Sequence, residues 1–236
     1  MSFNSAIRSG SKPIRMLTKY WKALNPQEVF STVFHNPILR VAGSLLSPLL
    51  WYKTRVQKLR NRSVTVQDVN DVKILENVYH RWRQTDKIHT IRDEKYLTWR
   101  FKSHPEIVYQ FLAAYVGQEV RGYFVISVTE FMGMKRGTIV DYLVVNDDPD
   151  IFEPLLNYAL HVFKANSCAL IDAWVFTQRW AQQAIEDYGF LSSRNILLRR
   201  WLSKTYLVAR PVDERNFPHN LASFDWYITP SDSDAY

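Results

Sequence analysis

Apolar positions along the chain change period several times, and each change marks an element. Ser63 to Val69 alternates through Val64 and Val66, which predicts a first strand. From Val72 the period lengthens. Val72, Leu75, Tyr79 and Trp82 recur at threes and fours, the face of an amphipathic helix that Asn70 or Asp71 can cap. Asp93 caps a short second helix through Phe101, and Pro105 stops it. IVYQFLAAYV, RGYFVISV and GTIVDYLVV then read as three strands, joined by turns at Gly117-Gln118-Glu119 and Met132 to Gly137. Asp150 with Glu153 forms an Asp-x-x-Glu capping box. The helix it opens has Phe152, Leu155, Leu156, Ala159, Leu160 and Phe163 on its apolar face. CALIDAWVF is a buried strand, RWAQQAIEDY a helix ended by Gly189, and ILLRRWL with KTYLVAR a closing pair of strands.

Before Ser63 the pattern is different. Ile14, Leu17, Trp21 and Leu24 fit one helical face, but Pro26 and Pro37 interrupt it. PILRVAGSLLSPLLWY, residues 37–52, is the most apolar piece and carries Arg40 and Pro48 inside it. It falls short of the roughly 20 apolar residues a bilayer-spanning helix needs. Charge sharpens the boundary. The 236 residues carry a net +7, yet residues 1–62 hold eleven Lys/Arg against Glu28 alone. Residues 63–236 hold 19 basic and 22 acidic side chains. That break predicts a basic helical arm or linker over 1–62 and a separate domain over 63–236. Basic flanks beside Leu46, Leu49, Leu50 and Trp51 suit a linker packed on the fold, or a helix lying on an anionic membrane surface. No nucleic-acid-binding motif occurs, and nucleic acid is not the expected partner. Cys168 is the one cysteine, which excludes an intrachain disulfide. It fits a reducing, cytoplasmic setting, at the inner face of the membrane if the arm meets lipid. The start, MSFNSAIRSGSK, has no apolar h-region.

Two groups of residues carry candidate chemistry. Arg92, Asp93, Tyr96, Trp99 and Arg100 place two guanidiniums, a carboxylate and two rings within about three helical turns. That is a set able to grip sugar, carboxylate or phosphate groups. Its plainer reading is a helix cap with a core Trp and an outer salt bridge. Asp141 and Tyr142 are adjacent in a strand, so one of them faces the other side of the sheet. Asp141 is either an acceptor-contacting base or a hydrogen-bonded structural acid. His80 and His89 have no metal-ligand spacing, Asp232-Ser233-Asp234 lacks further ligands, and Cys168 heads a buried strand as packing. No metal site is expected, and no Ser-His-Asp, zinc or P-loop pattern is present.

The order strand, two helices, three-strand meander, helix, strand, helix, two strands resembles the GNAT (N-acetyltransferase-like) superfamily. EDYGF is similar to its usual helix-to-strand junction. RDEKYLTWRF with its following His-Pro, IVDYLVV and WYITPSDSD resemble the C-terminal half of GNAT-related proteins from bacterial envelope-polysaccharide gene clusters. The resemblance covers residues 63–236. It implies an α+β fold, a mixed, mostly antiparallel sheet with flanking helices behind the basic arm. It also implies acetyl-CoA or another acyl-CoA held between splayed fourth and fifth strands, and acylation of an amino-sugar or similar, sugar or lipid-linked envelope precursor. Asp141, or a water, would be the base with Tyr142 beside it, and Arg92, Asp93, Tyr96, Trp99 and Arg100 would face the acceptor. Since the relatives carry a second GNAT-like half, a GNAT-like partner chain is implied too. Two positions depart from the pattern. Asn146 to Glu153, where the family holds the pyrophosphate on a Gly-containing loop, has no glycine or basic residue and presents Asp147, Asp148, Asp150 and Glu153. The family's acid tyrosine is Ile185 here, and Tyr188 lies about 300° further round the helix. Two functions therefore stand: a CoA-dependent N-acyltransferase, and a catalytically silent GNAT-like module that binds a glycan, a lipid-linked precursor or a protein.

Overall fold

Alternation over the meander becomes the centre of a seven-stranded sheet in the computed structural model, which describes residues 12–33, 63–83, 86–175, 178–194, 205–209 and 224–233. Strands β1 (Lys12–Met16) and β2 (Lys19–Ala23) and helix α1 (Pro26–Val33) come first. They are followed by β3 (Val64–Val69), α2 (Val72–Trp82), β4 (Lys87–His89) and α3 (Glu94–Leu97), which continues as a π-helical turn over Thr98–Lys102. The meander is β5 (Tyr109–Val116), β6 (Glu119–Phe131) and β7 (Met134–Val144). After it come α4 (Pro149–Ala165), β8 (Leu170–Trp174), α5 (Arg179–Asp187) and the short strands β9 (Leu191–Ser192), β10 (Tyr206–Ala209) and β11 (Asp225–Tyr227). The sheet order is β3-β5-β6-β7-β8-β2-β9, antiparallel except where β7 meets β8. The fold is α+β with a mostly antiparallel sheet, as expected.

The caps form where the short polar residues stand. Asp71 accepts from the Lys73 amide at the start of α2, and Asp93 accepts from the Tyr96 amide at the start of α3. The α4 cap is Asp148, two residues before the expected Asp150, because Pro149 takes the first helical position, where a missing N–H costs nothing. The second meander turn is also shorter than expected. Met132 and Gly133 make it with φ of 52° and 79°, and β7 starts at Met134. Gly137 is therefore inside β7, where a Cβ would lie 2.4 Å from Phe163 Cδ1. The glycine lets α4 sit against the strand. Phe152, Leu155, Leu156, Ala159, Leu160 and Phe163 all lose their solvent exposure there.

The arm corrects the sequence expectation. Residues 12–23 are two strands rather than one face of a helix, and β2 is inserted between β8 and β9. Tyr20 pairs with both Ala173 and Ser192. Tyr20 and Lys22 are each 1% exposed on the buried side of that strand. A run of five residues carries too few turns to separate a period of two from one of 3.6. The open slot between β8 and β9 decides, because an unpaired strand edge leaves its N–H and C=O groups unmatched. Residues 12–33 thus belong to the same unit as residues 63 onward, and the boundary at Arg62 does not separate two folds. The apolar stretch over 37–52 and ILLRRWL lie outside the described residues. KTYLVAR contributes β10, which pairs with β1 in a two-stranded sheet apart from the main one. No helix among the described residues is long and apolar enough to cross a membrane.

Candidate functional site

The ladder between β7 and β8 is short. They pair in parallel from Arg136 opposite Leu170 to Ile139 opposite Ala173, and the ladder ends there, while β7 runs on to Val144. The register against β6 shifts at the same place. Val125 faces Asp141 and Ile126 faces Ile139, so Val140 is an extra residue. Such a bulge bends the strand and swings its remaining residues away from one neighbour. Past it, Tyr142 and Asp141 point to opposite faces. Tyr142 packs on Phe124 and Phe152 beneath α4, with ring centroids 6.0 and 5.5 Å away, and its hydroxyl donates to Gln178 Oε1 at 3.3 Å. Burial first, and then the Asp141 carboxylate, push that hydroxyl up, so it keeps its proton.

Asp141 enters a fully buried network on the other face. Arg92 Nε donates to both its oxygens at 3.2 and 3.0 Å, and Arg92 Nη2 reaches Asp141 Oδ1 at 3.1 Å. The same guanidinium donates to Thr229 Oγ1 at 3.1 Å, Asp232 Oδ2 at 2.9 Å and the Thr90 carbonyl at 2.9 Å. Tyr123 Oη and Thr229 Oγ1 complete the shell of Asp141 at 2.9 and 2.7 Å. Arg92 and Asp141 have no solvent exposure. Burial opposes the Arg92 charge, and the Asp141 and Asp232 carboxylates outweigh it, holding the guanidinium well above its ordinary value. Tyr123 is held well above its own by burial and then by Asp141. The network pins residues 227–233 onto the sheet. Tyr227 donates to the Tyr142 carbonyl, Tyr96 Oη to the Ser231 carbonyl at 3.3 Å and Arg100 Nη2 to the Ser233 carbonyl.

The five residues of the α3 cluster therefore divide. Arg92, Tyr96 and Arg100 turn inward to the C-terminal segment, while Asp93 and Trp99 line an open groove of about 570 Å³ with Glu76, Glu94, Lys95, Thr98 and Ser103. Trp99 is 65% exposed there. Asp232 is bound to Arg92, and Asp234 lies outside the described residues; no metal-binding group occurs among those described. Cys168 is buried, and burial pushes its thiol up to about 11. Just past the end of β7, Asp147 accepts from Trp82 Nε1 at 3.2 Å and pairs with Lys87 at 3.0 Å. Asp150 is exposed and Glu153 half-buried. Ile185 is buried, and the Tyr188 hydroxyl reaches the Glu153 carbonyl at 3.4 Å. Sequence reasoning missed Gln178, the residue before α5 and beside Tyr142, Trp180 two residues further in, and Thr229. Thr229 stands inside the phrase WYITPSDSD but was given no role there, and each of the three meets its neighbours only across the folded chain.

The fold as a whole has counterparts among solved structures. A GCN5-related N-acetyltransferase from Anabaena variabilis ATCC 29413 superposes with a TM-score of 0.55 at 7% identity, over 88% of this chain and 43% of that one. The fold is GNAT-like. A conserved protein of unknown function from Enterococcus faecalis V583, a probable N-acyltransferase, shares the GNAT-like fold with a TM-score of 0.53 at 10% identity, over 81% of this chain and 41% of that one. This chain spans less than half the length of either. No family model and no curated protein sequence matches it.

Proposed function

We propose that the chain is an acyltransferase of the GNAT type, moving an acyl group from a thioester such as acetyl-CoA to the amine of an amino-sugar or similar envelope precursor. The observation that carries this reading is the end of the β7–β8 ladder at Ile139, beside the Val140 bulge, which leaves β7 beyond it without a partner strand on that side, where an extended thioester can lie. The neutral amine attacks the thioester carbonyl, the C–N bond forms, the C–S bond breaks, and the proton lost by the amine ends on the departing thiol. Asp141 is saturated by Arg92, Tyr123 and Thr229, so a water takes the amine's proton. Tyr142 retains its own proton, which it gives to Gln178 Oε1, and supports the thiolate only after that bond is exchanged. For the acceptor, Trp99 offers an exposed ring to a sugar face, and Asp93 and Glu94 in the same groove attract an ammonium group. Arg92, Tyr96 and Arg100 support that groove from behind.

The test is to incubate the full chain with acetyl thioesters and glucosamine or its 1-phosphate, and to follow N-acetylated product by mass spectrometry and released thiol by colour. Product above the uncatalysed background, lost on Tyr142→Phe or Trp99→Ala, is the expected result. A thioester that binds without turnover selects the second reading, a silent module for a glycan, a lipid-linked precursor or a protein such as a second GNAT-like half. The four acids of Asn146 to Glu153 and the sequestered Asp141 favour that alternative.

A further inference from the structure

The residues of the turn that follows α3 line two grooves. Over Thr98–Lys102 the chain makes a π-helical turn, and the Ser103 amide donates to the Thr98 carbonyl at 2.9 Å. Such turns are rare and recur at functional sites. Trp99 and Ser103 line the acidic groove described above, whereas Lys102 and His104 line a second one of about 340 Å³. The two grooves share no lining residue. The second lies between the end of β3 and the start of β5, and its floor is aromatic. Phe101 stands edge-on to Tyr109 and Phe111, with ring centroids 5.1 and 6.2 Å away, and all three rings are buried. Ile107 is half-buried in the same groove, and Val108 is 89% exposed there.

Three polar side chains complete the lining: Lys102, His104 and Asn70. His104 Nδ1 accepts from the Glu106 and Ile107 amides at 3.3 and 3.0 Å, which places the ring proton on Nε2. That N–H, the Lys102 ammonium and the Asn70 amide have no hydrogen bond or ion pair among the described residues. No carboxylate among the described residues lines the groove. It therefore offers one positive charge and two neutral donors beside an apolar floor.

We propose that this groove binds a small amphiphilic monocarboxylate, a short fatty or aromatic acid, at a site independent of the acyl-transfer reading. The charge count selects the head group. A carboxylate carries the single negative charge that Lys102 matches, and its oxygens accept from His104 Nε2–H and the Asn70 amide. A phosphate monoester carries about 1.5 to 2 negative charges at neutral pH and leaves part of them unanswered. The apolar body of the ligand covers the aromatic floor, Ile107 and Val108. Ordinary ligand pockets span roughly 300–1,000 Å³, so a groove of about 340 Å³ takes only a small molecule.

The full chain, with ¹⁵N-labelled histidine, is titrated with octanoate, octyl phosphate, 1-octanol and acetate. His104→Asn, which keeps an acceptor for the two turn amides and removes the ring N–H, assigns the His104 signal. Octanoate is expected to bind more tightly than octyl phosphate, at least about tenfold more tightly than 1-octanol or acetate, and to displace the His104 Nε2 signal. Lys102→Glu turns attraction into repulsion and should weaken octanoate about tenfold. Val108→Asp should weaken it too, and both side chains are exposed, so neither change reaches the core. No octanoate binding at millimolar concentration overturns the proposal. So does 1-octanol binding as tightly as octanoate, or octyl phosphate binding more tightly, since either removes the charge match. Octanoate that binds without moving the His104 signal, or with equal affinity in Lys102→Glu, occupies another place and overturns the assigned site.

Discussion

Replacing Arg92 by Met removes one charge and six hydrogen bonds at little change in length, and tests whether the buried network holds the C-terminal segment on the sheet. The variant leaves Asp141, with no exposure, and Asp232, with 5%, as carboxylates without their cation. Removing one partner of a buried pair costs about 3–5 kcal/mol, a large share of the roughly 5–15 kcal/mol that holds a domain folded. At about 2–4 °C per kcal/mol for a chain of this size, Tm falls by roughly 6–20 °C. Thermal and urea unfolding of the full chain at neutral pH measure it. Asp232→Asn is the internal reference. Asp232 meets the guanidinium through Oδ2 while its Oδ1 has no partner, so its loss costs about 1–2 kcal/mol. Adding Asp141→Leu to Arg92→Met recovers part of the loss, because it removes the fully buried one of the two carboxylates left without a cation, and Asp232 keeps the rest of the penalty. An Arg92→Met variant within about 1 kcal/mol of the parent, or a double variant worse than the sum of its parts, refutes the reasoning.

Lys22 gives a pH-dependent prediction. Burial lowers its ammonium from 10.5 to about 8, with the Tyr188 carbonyl as hydrogen-bond acceptor. The unfolded chain holds that proton more tightly, so the penalty is complete below pH 8 and fades as pH rises towards 10.5. Lys22→Met therefore stabilises the fold at neutral pH by up to about 3 kcal/mol, less the lost hydrogen bond, and the gain vanishes at the alkaline end; an equal gain at both ends contradicts the assignment. Gly137→Ala drives a methyl into Phe163 and costs about 1–3 kcal/mol in urea unfolding; an unchanged midpoint would mean that α4 can move off β7. A fragment of residues 63–236 lacks β2 and should aggregate or melt without cooperativity, whereas a soluble, cooperatively melting fragment would show β2 to be dispensable.

How much was legible in the sequence depends on the range of each interaction. The periods over residues 63–116, the Asp71 and Asp93 caps and the Gly189 helix end needed only neighbours a few residues away, and these elements stand where the pattern puts them. The apolar face of α4 was legible for the same reason, since one helix stripe meets one sheet face. Tertiary structure decided the rest. Lys19–Ala23 is short enough to suit a helix or a strand, and it became a strand because β8 and β9 left a slot for it. Arg92 looked like part of a surface cluster; its carboxylate partners lie 49 and 140 residues away, and burial turned a gripping residue into a tie for the C-terminal segment. Tyr142, Phe152, Gln178 and Trp180 meet only because β7 and the starts of α4 and α5 are packed together. A local pattern tells which face of an element is apolar, but which distant polar group it meets is set by the packing of the whole sheet, where an unmatched donor or charge is costly.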